Sequence, residues 1–482
     1  MRILVVHHGS LPATGRPASG GGIRAWQLGR GLQQAGLDVC YLARDQDEPG
    51  GFASPADLVR KATARGPDAV VCVQLEDAPA LAVLGKPLAV DLYAPRLLEA
   101  PFQGALAEAA PAVLRALAAG DVFLVSSPRQ RWSWLGVLAL AGVDVRRDPT
   151  LLVPIASREP LRHRWPASPV FVGGGQAWPW ADPREGLDRV LAHLDRRGIG
   201  SVRWYGDADS LPDHPRLERA GTLPWDALQK AWAGATAALD WMADNPERQL
   251  ALGFRHADYL AAGLPVLCAA DSAVDEALAG AAWAGDIEDV LDAVLDDVAA
   301  GGSALRACAK AARALARQRS AAACAASLVD WLDAPASHRA PPGPLSRAAD
   351  LAARAAAADA RAIAADDRAA RAEAEAVAKR QEVARLTGQL QQLLGTVERL
   401  SRAVDEVASF KRQAITVLGA RSAQAADDLE TANERIASLQ ADVEKKNAEL
   451  AASDDMRARL EDDLARARAE VKRLHRKGWL SR

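Results

Sequence analysis

Short apolar, β-branched runs alternate with stretches of helical periodicity through the first 333 residues, and no other feature limits the fold as strongly. Strands are expected over 3–6, 39–43, 69–73, 88–91, 122–125 and 151–153. A second series is expected over 170–172, 202–205, 237–239 and 266–268. Amphipathic segments at 23–35, 97–118, 130–141, 185–196, 225–233 and 256–262 fall between them. Strands joined through helices make right-handed crossovers, which gives parallel sheets covered on both faces. The 482 residues allow two to four domains at roughly 100–200 residues each. The expected class is therefore α/β, with two Rossmann-like doubly wound domains at 1–155 and 156–333.

The alternation stops at residue 334. Pro335, Pro341, Pro342 and Pro344 punctuate the next stretch, so 334–347 reads as a semi-rigid linker. No proline follows before residue 477, and 348–379 is rich in alanine, a strong helix former. Leu386, Leu390, Leu393, Val397, Leu400, Val404 and Val407 then alternate four and three apart, which is a heptad seam. It weakens through Lys411, Ala414, Leu418, Arg421 and Ala425, and resumes after a stutter at Leu429, Ala432, Ile436, Leu439 and Val443. A long α-helical coiled coil is expected over 348–477. Taken as one rod, 386–474 would reach about 130 Å. Self-association or a partner helix is the expected use of the seam. Peripheral membrane contact is the lesser option, because the seam is narrow and its charges mixed.

A formal net charge of −3 provides no general attraction for polyanions, so nucleic acid is not an expected partner. Cys40, Cys72, Cys268, Cys308 and Cys324 are scattered, odd in number and free of C-x-x-C spacing. That argues against a disulfide framework or zinc site and fits a reducing compartment. The apolar run at 3–6 is too short for a signal peptide, and nothing approaches the ~18–20 apolar residues of a membrane span. A cytoplasmic protein is expected, with the inner face of the membrane as an option, and no metal site.

Three loops could meet a phosphate. The first strand runs into His7, His8, Gly9 and Ser10, and a Gly-rich loop ends in Gly20, Gly21 and Gly22 before a helix. Glycines allow close backbone approach, and a helix start attracts negative charge. The spacing is not G-x-G-x-x-G, and a flexible connector would look the same. Gly173, Gly174 and Gly175 follow the first strand of the second series, with Trp178, Trp180 and Asp182 beyond; packed tryptophans in a tight turn are the alternative. Arg255 and Asp258 lie one helical turn apart, placed to take a diphosphate and ribose hydroxyls, or simply each other. Asp91 ends a strand at the edge where sheet ligands gather, and is a candidate base or acceptor-orienting group. Asp207 and Asp209 form a D-x-D that reads as a loop.

These residues bring a family into view. GGGIRAWQLGRGLQQAGLDV, VFVGGGQAWPW and FRHADYLAAGLPVL make the first 333 or so residues resemble GT-B glycosyltransferases of the family-4-like branch. In the last stretch an acidic residue lies five positions before the Gly of a Gly-x-Pro-Val ending. The segment LVSSPRQRWSWLGVLALAGV is similar to one common among these enzymes. The resemblance implies hexose transfer from a nucleotide sugar, bound between the two domains, to a cell-surface glycan or lipid-linked acceptor. It implies neither a metal bridge nor a cofactor, the nucleotide sugar being the substrate. Asp258 stands where the family has its ribose-binding glutamate, and Gly20, Gly21 and Gly22 match the loop near the donor phosphates. Arg255 is this chain's own candidate for a diphosphate clamp, and Gly174 and Arg248 join the expected donor site. Two departures stand out. Leu250 replaces the first glutamate of the family's E-x7-E pair, and its Arg and Lys after the second-domain strand are missing. Arg248 or Arg184 could compensate, with Glu247 as the acid. A catalytically degenerate GT-B scaffold, assembled through its coiled coil, is the alternative.

Overall fold

The computed structural model describes the chain except residues 13–16, 45–50, 177, 207–210, 340–343, 412–418 and 477–482. Asp207 and Asp209 thus lie outside the described residues. The described chain forms two compact units, 1–350 and 351–482.

In the first unit, β1 (Arg2–His8), β2 (Asp38–Arg44), β3 (Ala69–Cys72), β4 (Leu88–Asp91), β5 (Val122–Val125) and β6 (Thr150–Leu152) form one sheet. Its order is β2-β1-β3-β4-β5-β6. The second sheet holds β7 (Val170–Gly175), β8 (Ser201–Gly206), β9 (Leu217–Gly221), β10 (Ala237–Asp240), β11 (Val266–Cys268) and β12 (Ala282–Ala284), ordered β12-β11-β10-β7-β8-β9. Every pairing is parallel. The order reverses beside β1 and beside β7, which opens a crevice at the carboxyl end of each sheet.

The first lobe carries α1 (Gly20–Gln34), α2 (Pro55–Arg65), α3 (Ala78–Leu81), α4 (Arg96–Glu99), α5 (Leu106–Ala119) and α6 (Pro128–Ala141). The second carries α7 (Arg184–Arg197), α8 (Trp225–Trp232), α9 (Phe254–Ala262), α10 (Ala273–Ala277), α11 (Ile287–Ala299) and α12 (Ser303–Gln318). α13 (Ala321–Asp333) returns to the first lobe, where Leu328, Trp331 and Leu332 share a core with Ile3, Val5 and Leu28. β3, β4 and β5 are buried along their whole length because helices cover both faces of the sheet. The helix expected over 97–118 is two helices: Pro101 and the left-handed Gly104 break it between α4 and α5. Residues 337–339 lie on the first lobe, where Asp121 accepts from Ser337 Oγ at 2.5 Å and pairs with Arg339 at 2.8 Å.

The second unit holds α14 (Pro344–Lys411) from residue 351 onward and α15 (Gly419–Arg476). Arg380 pairs with Asp454 at 3.1 Å, and Glu373 pairs with Arg457. As one partner moves toward the amino terminus the other moves toward the carboxyl terminus, so the helices run antiparallel. This corrects the expectation of one rod of about 130 Å. Leu386, Ile436 and Leu439 are buried along the seam, and Ala358, Ala365 and Ala376 continue it with small side chains. Of the weak part of the seam, Ala414 and Leu418 lie outside the described residues. No described helix is long and apolar enough to cross a membrane.

Candidate functional site

A cleft of about 900 Å³ lies between the two lobes of the first unit. Its walls are the carboxyl ends of β1, β7 and β8 and the starts of α1 and α9. On the first lobe, Ser19 caps α1 by accepting from the Gly22 amide at 3.0 Å. A Cβ on Gly22 would sit 1.8 Å from the Ser10 carbonyl, and one on Gly21 would sit 2.2 Å from the Gln74 amide, so only glycine fits this approach. His8 donates its backbone amide to Gln74 at 2.8 Å, and its Nε2 lies 2.6 Å from the buried Asp77.

On the second lobe the cleft floor is organised by Asp240, the last residue of β10. Its carboxylate takes Arg255 at 2.9 Å, Arg248 at 3.5 Å and the His256 Nε2 at 2.9 Å. Burial alone would raise the Asp240 pKa, but His256, Arg255 and Arg248 together hold it well below the usual carboxylate range. Arg255 also reaches the Gly174 carbonyl at 3.4 Å. His256 Nδ1 accepts from the Gly253 amide at 3.1 Å, which closes the first turn of α9. Phe254, the first residue of α9, packs on Tyr93 at 5.3 Å and lies beside Gly20. The amino termini of α1 and α9 therefore approach one another across the cleft, each adding partial positive charge. Arg248 and Arg255 thus converge on Asp240, and Asp258, Glu247 and the Glu99–Arg96 pair line the same cleft. The arrangement suits a ligand that carries phosphate.

Asp258 also lines the cleft. Its carboxylate accepts from Trp225 Nε1 at 2.9 Å and from the Gln229 amide, both on α8. Burial pushes its pKa up to about 6, against the pull of those hydrogen bonds and of Arg158. Glu247 is buried on the same lining, and its Oε2 has no hydrogen-bond partner; the nearest cation, Arg248, is 3.7 Å away. Burial pushes the Glu247 pKa up to about 7, Arg248 pulls it down, and Glu99 from the opposite lobe pushes it up again.

The fold thus gathers Gly20, Gly21, Gly174, Arg248, Arg255 and Asp258 on one surface, with Gly22 directly behind it. Asp91 is elsewhere. Both its oxygens face Arg24, at 2.7 and 3.3 Å, and it does not line the cleft. Arg24 is fully buried and also donates to the Val153 and Pro154 carbonyls, at 2.8 and 3.0 Å. This pair fixes α1 to the segment that follows β6, and it holds Asp91 buried and away from the cleft lining. Arg184 is exposed on Asp182, away from the lining. Sequence reading passed over Asp240 and Arg24. Asp240 carried a signal, an acid at the carboxyl end of a buried strand; Arg24 carried one too, a cation on the apolar face of α1. No group of three or more His, Cys, Asp or Glu among the described residues could hold a metal ion.

No protein-family model and no curated protein matches the chain. Among solved structures it is similar to the trehalose-6-phosphate synthase OtsA, with a TM-score of 0.52 at 12% identity over 70% of this chain and all of the other. It is also similar to Anabaena HepE in complex with UDP and glucose, with a TM-score of 0.47 at 15% identity over 69% of this chain and 99% of the other. The OtsA likeness shows the fold: the two lobes and their cleft have the GT-B arrangement.

Proposed function

We propose that this chain is a glycosyltransferase that moves a hexose from a nucleotide sugar to a cell-surface glycan or its lipid-linked precursor. The observation that carries the reading is the pair of cleft-lining arginines, Arg248 and Arg255, held by Asp240 between two opposed helix amino termini. In that setting the departing diphosphate meets cations and amide dipoles already in position, and such pre-organised electrostatics is the main term lowering the barrier. Gly20, Gly21 and Gly174 let the phosphates come close to the backbone. Asp258 uses two of roughly four acceptor positions on Trp225 and Gln229. The remaining lone pairs are available to ribose hydroxyls. Glu247, three residues before Leu250, supplies the acid that position lacks. The two lobes are read as an acceptor-side domain at 1–155 and a nucleotide-sugar domain at 156–333, whose last helix, α13, packs back on the first lobe. The helical tail serves to join copies or to dock a partner helix, and a peripheral contact at the inner membrane face belongs to the same reading.

A second reading is a degenerate scaffold with this fold. It is favoured by the carboxylate of Asp258 already holding two donors, and by Leu250. Release of UDP or GDP from a panel of nucleotide sugars separates the two. Release sustained by one donor supports the transferase; a folded chain that binds no nucleotide sugar supports the scaffold.

A further inference from the structure

Resting on that reading, we infer that one end of the cleft is a subsite for a pyranose ring, formed by Trp178, Trp180, Glu99 and Glu247, with Phe102 against the outer side of Trp180. Trp178 and Trp180 follow β7 and lie nearly parallel, with ring centroids 5.1 Å apart and planes 10° apart. Trp180 is 6% exposed and forms the fixed backing; Trp178 is 42% exposed and lines the cleft. A broad apolar face held against a buried partner is pre-ordered, so a ligand stacking on it loses little side-chain entropy. Phe102, 43% exposed, comes from the opposite lobe to within 6.4 Å of the Trp180 ring.

Two carboxylates share the lining with these rings. Phe102 lies three residues after Glu99, which is buried on the lining beside Arg96. Asn245 donates to the Trp180 carbonyl at 2.8 Å and accepts from the Glu247 amide at 3.1 Å, tying the aromatic turn to the Glu247 turn. Glu247 Oε2 is buried and without a hydrogen-bond partner, which is costly unless a ligand provides one. A pyranose has what this surface asks for: an axial C–H face for the indole and equatorial hydroxyls for the carboxylates. A flat, anionic or purely lipid ligand does not offer both.

The ring can come from the acceptor or from the donor's own sugar, and calorimetry on the full chain separates them. The probes are UDP, UDP-glucose and four neutral disaccharides: maltose, cellobiose, lactose and chitobiose. Wild type is expected to bind at least one sugar-bearing probe more tightly than sugar-free controls. Trp178→Ala should weaken that probe up to about tenfold, Trp178→Phe should retain most of the affinity, and UDP should bind all three proteins equally. Loss confined to a neutral disaccharide assigns the subsite to the acceptor, and loss confined to UDP-glucose assigns it to the donor sugar. Equal affinity of wild type and Trp178→Ala for every sugar-bearing probe, or no affinity for any of them, overturns the subsite. A disaccharide that binds while UDP does not would remove the nucleotide-sugar reading and leave the subsite standing.

Discussion

Asp258→Asn should make the protein more stable and a poorer nucleotide binder. Asp258 is buried, and its pKa of about 6 stands above the 3.8 of an unhindered aspartate. A raised folded-state pKa means that the neutral form is the one folding favours. Its stabilising effect is complete below pH 3.8 and is lost as the pH climbs through 6. The 2.2-unit difference corresponds to about 3 kcal/mol held against the ionised carboxylate at pH 7.5. Asparagine imitates the neutral group. Its Oδ1 can accept from Trp225 Nε1, and Gln229 can turn its amide over to receive the new NH2. Because that imitation is imperfect, the expected gain at pH 7.5 is about 1–3 kcal/mol. Urea titrations at pH 7.5 and pH 5 read it, and the gain should shrink at the lower pH. Calorimetry with UDP should show weaker binding, since a carboxylate no longer faces the ribose. Asp258→Ala is the wrong test, because it strands two buried donors and destabilises for that reason alone. If Asp258→Asn is less stable than wild type at pH 7.5, or binds UDP as well, the account of Asp258 fails.

Raising the pH through 7 ionises Glu247 and adds a negative charge beside Arg248. UDP affinity should therefore fall between pH 6.5 and 8, and Glu247→Gln should flatten the decline. Arg255→Gln should weaken UDP about 10- to 100-fold by calorimetry, the worth of a lost charge-assisted hydrogen bond. Arg24→Met strands the buried Asp91 carboxylate and should cost about 3–5 kcal/mol in urea unfolding; a change below about 1 kcal/mol would mean that water reaches the pair. Arg380→Cys combined with Asp454→Cys, treated with a short bis-maleimide, should cross-link within one chain. Covalent dimers on a denaturing gel would instead put those residues on different chains.

Most strands were legible because they are short and apolar, and burial on both faces makes that pattern strong. β9 and β12 were missed because they lie at sheet edges without that burial: Leu217–Gly221 carries Glu218 and Arg219, and Ala282–Ala284 is only partly buried. The phosphate-facing glycines were visible as composition. Asp258 was visible only as a position, since its partners Trp225 and Gln229 lie on another helix some thirty residues away. The tail was legible as a seam but not as a hairpin. A heptad repeat states which face is apolar and is silent about whether the facing helix belongs to the same chain.

The placement of strained and unsatisfied groups bears on the choice between transferase and scaffold. An ionised Asp258, a Glu247 oxygen without a hydrogen bond and the buried Trp232 Nε1, also unpartnered, all lie on one cleft lining. Each is a cost that a hydroxyl- and phosphate-bearing ligand would offset. If a ligand offsets them, saturating nucleotide sugar should raise the thermal midpoint of wild type more than that of Asp258→Asn, because the variant has already lost part of the cost. A scaffold that no longer binds would show no rise in either protein. Equal rises in both would place the ligand away from Asp258.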